Sequence, residues 1–116
     1  MKKRILISTG GSGGHVIPAT ILYEHLKEEF DLFLTTDVRG SKFLDLKKYK
    51  SNIIEVPKLN SNLFLIPINL IKLIISFFQS FIFLKKNKIN TLISTGGYMS
   101  LPLCIISKFL NIKIYL

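Results

Sequence analysis

One pentapeptide occurs twice in this chain. Ile-Ser-Thr-Gly-Gly closes an apolar run at residues 7–11 and again at 93–97. A run of branched aliphatic residues that stops abruptly at glycine is how a strand covered on both faces of a parallel sheet gives way to a turn. These two junctions constrain the fold more than any other feature. They read as equivalent strand ends within one sheet rather than as a duplicated unit.

Between and around them, strand and helix patterns alternate. Apolar runs at 4–9, 31–36, 53–56, 90–95 and 112–116 predict strands. Helical spacing predicts helices at 16–29, 41–50, 66–86 and 101–110. Ile17, Ile21, Leu22, Leu26 and Phe30 form the expected inner face of the first helix. Ser41 is placed to cap the second, with Asp45 in its first turns and Phe43, Leu44 and Leu46 facing inward. Pro57 stops the third strand, and a loop over 58–62 follows. Pro102 sits in the first turn of the last helix, where a missing N–H costs nothing. Alternation of this kind implies a doubly wound, Rossmann-like α/β fold with a parallel sheet. A chain of 116 residues has room for one such domain, over residues 1–116.

Composition supports this reading. The chain is 48% apolar and only 20% charged, which excludes a disordered segment. A single cysteine, Cys104, excludes an internal disulfide and argues against a cysteine zinc site. The apolar run after the basic start is only Ile5-Leu6-Ile7, too short for a secretory signal, so it reads as the first strand. Sixteen basic residues against seven acidic ones give a net charge of +9. Such a surface seeks phosphates on lipids, nucleic acids or small ligands, although biased codon usage explains scattered lysines equally well.

The first junction, Gly10-Gly11-Ser12-Gly13-Gly14-His15, places four glycines in five residues ahead of a helix. Glycine lets the backbone approach a ligand closely, and the helix start offers free N–H groups and a positive dipole end. The segment suits a diphosphate. It is not the dinucleotide fingerprint, because the third glycine of that motif falls on Val16, and Asp37 is the nearest acid to the end of strand two. It also lacks the Gly-Lys-Ser/Thr ending of a P-loop. NAD binding and ATP hydrolysis are therefore disfavoured. The second junction continues as Gly96-Gly97-Tyr98-Met99-Ser100. In a sheet of order 3-2-1-4-5, strands one and four are neighbours at the topological switch point. Their loops then face one crevice. His15 lies beside that crevice as a candidate base, with a helix cap as the plainer alternative. His25 is expected on the surface.

The segment from Ile7 to Ala19, with Gly13-Gly14-His15 followed by Pro18, resembles the N-terminal glycine motif of the MurG family in glycosyltransferase family 28. The segment Gly96-Gly97-Tyr98-Met99-Ser100-Leu101-Pro102 resembles that family's second glycine loop. Ser12 replaces the family's usual threonine and keeps the hydroxyl. The resemblance covers essentially the whole chain. It implies an inverting GT-B enzyme with no cofactor and no metal on the nucleotide. Such an enzyme moves GlcNAc from UDP-GlcNAc to undecaprenyl-diphospho-MurNAc-pentapeptide. Carried onto these positions, it puts Ser12, Gly13 and Gly14 at the donor and diphosphate. It puts Gly10, Gly11, Gly96, Gly97, Tyr98 and Ser100 at the lipid-diphosphate acceptor, with His15 catalytic. The sugar-nucleotide domain is expected in a missing C-terminal part or a partner subunit. Catalysis by this chain alone is not expected.

Residues 63–84 include 16 strongly apolar ones among 22, enough to span a bilayer. Yet Asn69, Lys72, Ser76, Gln79 and Ser80 recur at steps of three or four and predict one polar stripe, as on an interfacial helix. Lys58 precedes the helix, and Lys85, Lys86 and Lys88 follow it, placed for anionic headgroups. Phe77, Phe78, Phe81, Lys72, Lys85 and Lys86 are the expected membrane contacts. A core-packed crossover helix with an exposed edge and an interfacial helix both rank above a spanning one. The family resemblance implies the cytoplasmic face of a bacterial inner membrane as the location, held peripherally by anionic lipids. The alternative function is a membrane-associated, non-catalytic subunit of a bipartite UDP-sugar glycosyltransferase. Nucleic acid is not an expected partner, because no aromatic platform interleaves with the lysines.

Overall fold

The computed structural model describes residues 3–11, 13–44, 48–49, 51–54, 66–95 and 100–115. Along them run β1 (Arg4–Ser8), α1 (Gly13–Leu26), β2 (Asp31–Thr36), α2 (Val38–Ser41) and β3 (Ser51–Ile53). α3 (Ile66–Lys86), β4 (Thr91–Ser94), α4 (Leu101–Phe109) and β5 (Lys113–Tyr115) follow. All five strands pair in parallel in the order β3-β2-β1-β4-β5. This is the Rossmann-like sheet that the alternation predicts, with β1 at its centre.

Side chains of β1 alternate between two cores because successive residues of a strand point to opposite faces. Leu6 joins Leu84 of α3, Leu92 of β4 and Leu103 of α4. Ile7 joins Val16 and Ala19 of α1 and Leu34 of β2. Both Leu6 and Ile7 are fully buried. Truncating either to alanine should cost about 2–5 kcal/mol, since a filled core collapses poorly around a void.

Several local expectations need correction. In α1 the buried residues are Val16 and Ala19, with Leu22 and Tyr23 partly buried beside them, whereas Ile17 and Ile21 are each 55% exposed. Apolar residues fill more of this helix than its docked face can cover, so the choice of inner face falls to packing. The second helix is not residues 41–50 capped by Ser41. It is the single turn Val38–Ser41, capped by Asp37, whose side chain accepts from the Gly40 N–H. Ser41 ends it and donates its hydroxyl to the Val38 carbonyl at 2.6 Å. Leu44 is buried as expected, but Phe43 is exposed. Asp45 and Leu46 lie outside the described residues. β3 comes two residues earlier than predicted, because Ser51, Asn52 and Ile53 pair with Leu34, Thr35 and Thr36. Pro57, Lys58 and the 58–62 loop are also outside the described residues.

The far end of α1 is held by a polar cluster. Glu24 receives Lys27 at 2.7 Å and Lys48 at 3.0 Å, and the Tyr49 hydroxyl donates to it at 3.0 Å. Lys27 first, then Lys48 and Tyr49, hold the Glu24 carboxyl down at about 2. Tyr49 also meets Tyr23 edge to face.

α3 has the predicted boundaries but not the predicted orientation. Ser76 and Ser80, taken as solvent-facing members of the polar stripe, are buried. Their hydroxyls are satisfied within the helix, on the carbonyls of Leu73 at 2.6 Å and Ser76 at 2.8 Å. The inward face runs Leu73, Ser76, Phe77, Ser80, Phe83, Leu84 and Asn87, at helical spacing. Small side chains there let α3 lie close to its neighbours. Ile71, Ile74, Ile75, Phe78 and Ile82 face outward instead, with Phe78 63% exposed. Lys72 and Gln79 are exposed, and Asn69 is half-buried.

Candidate functional site

The site lies at the carboxyl ends of β1, β2 and β4. Beyond Ser8, the Thr9 N–H donates to the Thr35 carbonyl at 3.0 Å, and the Thr95 N–H donates to the Ser8 carbonyl at 3.1 Å. Hydroxyls then stitch the two junctions together. Thr95 Oγ1 donates to Thr9 Oγ1 at 2.7 Å, and Ser94 Oγ lies 2.8 Å from Ser100 Oγ. The repeated Ser-Thr pairs thus become a polar seam under the crevice, with Thr9, Ser94 and Ser100 buried.

Past the seam the chain turns on glycine. Gly11 has φ 83°, the left-handed region where a side chain would strain the backbone. Gly13 opens α1, and Gly14 is exposed. N–H groups in the first turn of a helix have no intrahelical partner and carry a positive partial charge. Pro18, inside α1, has no N–H for the Gly14 carbonyl that lies four residues earlier. A Cβ on Gly13 would come within 3.3 Å of the Phe43 ring. Because that ring is exposed it can move, so a substitution there should disturb the fold little.

His15 is half-buried in the first turn of α1, with Nδ1 3.2 Å from the Gly10 carbonyl. A carbonyl only accepts, so in the neutral ring this contact puts the proton on Nδ1 and leaves the lone pair on Nε2. His15, Gly10, Gly11, Gly13, Gly14 and Ser100 are therefore gathered at one end of the sheet. Ser12, Gly96, Gly97 and Tyr98 lie outside the described residues. His25 is exposed on α1, as expected.

One residue of this region enters the sequence reading only as the nearest acid to the end of strand two. Asp37 is buried, and its Oδ1 accepts from the Gly11 N–H at 3.0 Å and the Gly40 N–H at 2.7 Å. Its carboxylate is spent on the protein's own backbone. The signal for it was local: an acid directly after a strand and three residues before glycine is an N-cap pattern.

The glycosyltransferase family 28 N-terminal domain matches residues 5–116. The chain belongs to that family. Over all 116 residues it is 57% identical to the UDP-N-acetylglucosamine–N-acetylmuramyl-(pentapeptide) pyrophosphoryl-undecaprenol N-acetylglucosamine transferase of Pelagibacter ubique (strain HTCC1062), covering 33% of that protein. It is 34% identical to the enzyme of the same name from Leptospira interrogans, over 98% of this chain and 33% of the other. The crystal structure of Acinetobacter baumannii MurG superposes with a TM-score of 0.79 at 20% identity, over 97% of this chain and 34% of that one. That superposition bears on the fold. The chain spans about a third of the length of these relatives. Within family 28, the two Ile-Ser-Thr-Gly-Gly junctions are thus the paired strand ends of its N-terminal domain.

Away from the crevice, Ile74, Phe77, Phe78, Phe81 and Ile106 line an apolar groove of about 380 Å³ between α3 and α4. Lys72, Lys85 and Lys86 are exposed on α3, and Lys108 is exposed on α4.

Proposed function

We propose that this chain is the acceptor-side domain of a transferase that moves GlcNAc from UDP-GlcNAc to undecaprenyl-diphospho-MurNAc-pentapeptide. The observation that carries this is 57% identity to such a transferase across every residue of the chain. The site's chemistry is compatible with it. The glycine loop and the start of α1 offer backbone N–H groups to a diphosphate, with Ser12, Gly13 and Gly14 on the donor side. Gly10, Gly11, Gly96, Gly97, Tyr98 and Ser100 are assigned to the acceptor. His15 Nε2 takes the proton from the acceptor hydroxyl as its oxygen attacks the anomeric carbon and the UDP oxygen leaves. The sugar-nucleotide half of the reaction requires the rest of such an enzyme.

The same reading puts the chain on the cytoplasmic face of a bacterial inner membrane. The outward face of α3 dips into the interface, with Phe78 and Phe81 as apolar anchors and Lys72, Lys85 and Lys86 on lipid phosphates; Phe77, half-buried on the inward side, lines the groove toward α4 and is not one of the lipid-facing anchors. Each such lysine adds about 1 kcal/mol. A helix whose opposite face is docked on the domain lies on a bilayer rather than crossing it.

The test is a chimaera in which this chain replaces the matching third of the Pelagibacter relative. Transfer of GlcNAc to lipid I is expected, and His15→Ala should lower kcat about a hundredfold or more. A folded but inactive chimaera beside an active parent would reject the function. A His15→Ala effect confined to KM would reject the base.

A further inference from the structure

A carboxylate beside a loop meant for a diphosphate is an oddity, since like charges repel strongly where water is scarce. Asp37 nonetheless sits there, its side chain only 8% exposed. Its bonds explain its presence. Gly10 C=O and Gly11 N–H belong to the same peptide group. Asp37 Oδ1 accepts from that N–H at 3.0 Å, while His15 Nδ1 lies 3.2 Å from that carbonyl oxygen. The peptide is clamped at both ends, and the clamp links Asp37 to His15 through one amide.

We propose that Asp37 is the positioning residue for His15, acting through the Gly10–Gly11 peptide. The carboxylate draws on the Gly11 N–H, which makes the Gly10 carbonyl a stronger acceptor, because hydrogen bonds in a chain polarise one another. The carbonyl in turn holds the proton on Nδ1 and keeps the Nε2 lone pair free. The catalytic use of that lone pair rests on the function proposed above; the clamp itself does not.

Two further features keep the clamp in register. The Gly40 N–H donates to the same Oδ1 at 2.7 Å, so the α2 turn fixes the carboxylate. A Cβ on Gly40 would lie 2.6 Å from Gly10 Cα and collide with Thr36 Oγ1, so the turn can reach the loop only with glycine at 40. Both bonds fall on one oxygen. Among the described residues Oδ2 meets only the exposed Arg39, whose Nε at 3.7 Å is beyond hydrogen-bond distance. An asparagine places a carbonyl oxygen at the same point, so the arrangement needs an acceptor there rather than a charge.

Nitrogen-15 NMR of the histidine rings and amide exchange of the 116-residue chain test this without donor or lipid. In the unmodified chain, neutral His15 should be the Nδ1–H tautomer; an Nε2–H ring overturns the proposal before any variant is made. Asp37→Ala should move His15 toward Nε2–H and speed Gly11 exchange about tenfold or more. Asp37→Asn and Arg39→Ala should leave both unchanged. A folded Asp37→Ala with His15 and Gly11 unaltered, or Asp37→Asn as disruptive as Asp37→Ala, overturns it. In the chimaera, Asp37→Ala should lower kcat about tenfold with the KM for lipid I nearly constant. An inactive chimaera would count against the transferase reading and leave the NMR result standing.

Discussion

At the carboxyl end of the sheet, polar groups are buried and joined to one another: Thr9 to Thr95, Ser94 to Ser100, Asp37 to two glycine amides. Along α3 the arrangement is reversed. Two serines are buried there, and a row of isoleucines and phenylalanines faces out. Neither region follows the rule of apolar inside and polar outside, and each departs from it in the direction that its surroundings reward. On the function proposed above, the loop holds a backbone shape beside an anion: side chains are used up as braces and N–H groups are left over. On the same reading the helix offers apolar area outward, while small side chains on its docked face let it lie close. A buried polar group and an exposed apolar row are the informative departures from an ordinary surface.

The largest expected effect falls on the helix. Replacing Ile74, Phe78 and Phe81 together by serine should weaken binding to anionic vesicles about a hundredfold or more, since each anchor withdrawn from lipid forfeits about 1.5–3 kcal/mol. Thermal unfolding should barely move, because these side chains are exposed. Vesicle sedimentation and calorimetry measure the two. Unchanged sedimentation would mean that the outward row is not the membrane face.

Next is the inner face. Ser80→Leu forces a large side chain between packed helices and should cost about 1–3 kcal/mol in urea unfolding. If Ser80 faced water, the change would be neutral, and the orientation of α3 described above would be wrong. In the loop, Gly11→Ala must carry a Cβ at φ 83°, at a cost of about 1–2 kcal/mol. A neutral result there would show that the loop relaxes freely and needs no bracing.

The smallest effect belongs to Glu24. Its folded carboxyl sits at about 2, below its ordinary 4.5, so the folded state holds on to fewer protons than the unfolded one. Its stabilising contribution is therefore full above pH 4.5 and fades as pH falls toward 2. The Tm gap between the chain and Glu24→Gln should narrow over that window. It should also shrink with salt, because the pairs are solvent-exposed. A gap independent of pH would mean that the cluster acts through packing of Tyr49 alone.

What could be read from residues alone divides along the same line. The strand order, the limits of α3 and the gathering of His15 with the glycines follow from punctuation and period, which are local. The facing of α3 does not. Ser76 and Ser80 share their spacing with Lys72 and Gln79, and only the approach of α4 decides which of them are covered. The phase of α1 was lost for a related reason, since Ile17 and Val16 are equally apolar and burial went to the smaller side. Asp37 was visible as an acid at a strand end, but its bond to Gly11 joins residues 26 apart and exists only once β1 and β2 are paired.

The placement of β1 at the centre of the sheet also has a cost in time. One of its edges pairs with β2 early, but the other waits for β4, whose residues lie 86 positions later in the chain. During synthesis at about 5–20 residues per second, α3 is finished seconds before α4 has left the ribosome. In that interval Leu84 and Phe83 can already rest on Leu6, Phe33 and Ile54, which precede the helix in the chain, but the part that α4 covers is still open. A nascent chain with this order therefore shows a wider apolar surface to a nearby bilayer or a chaperone than the finished domain does.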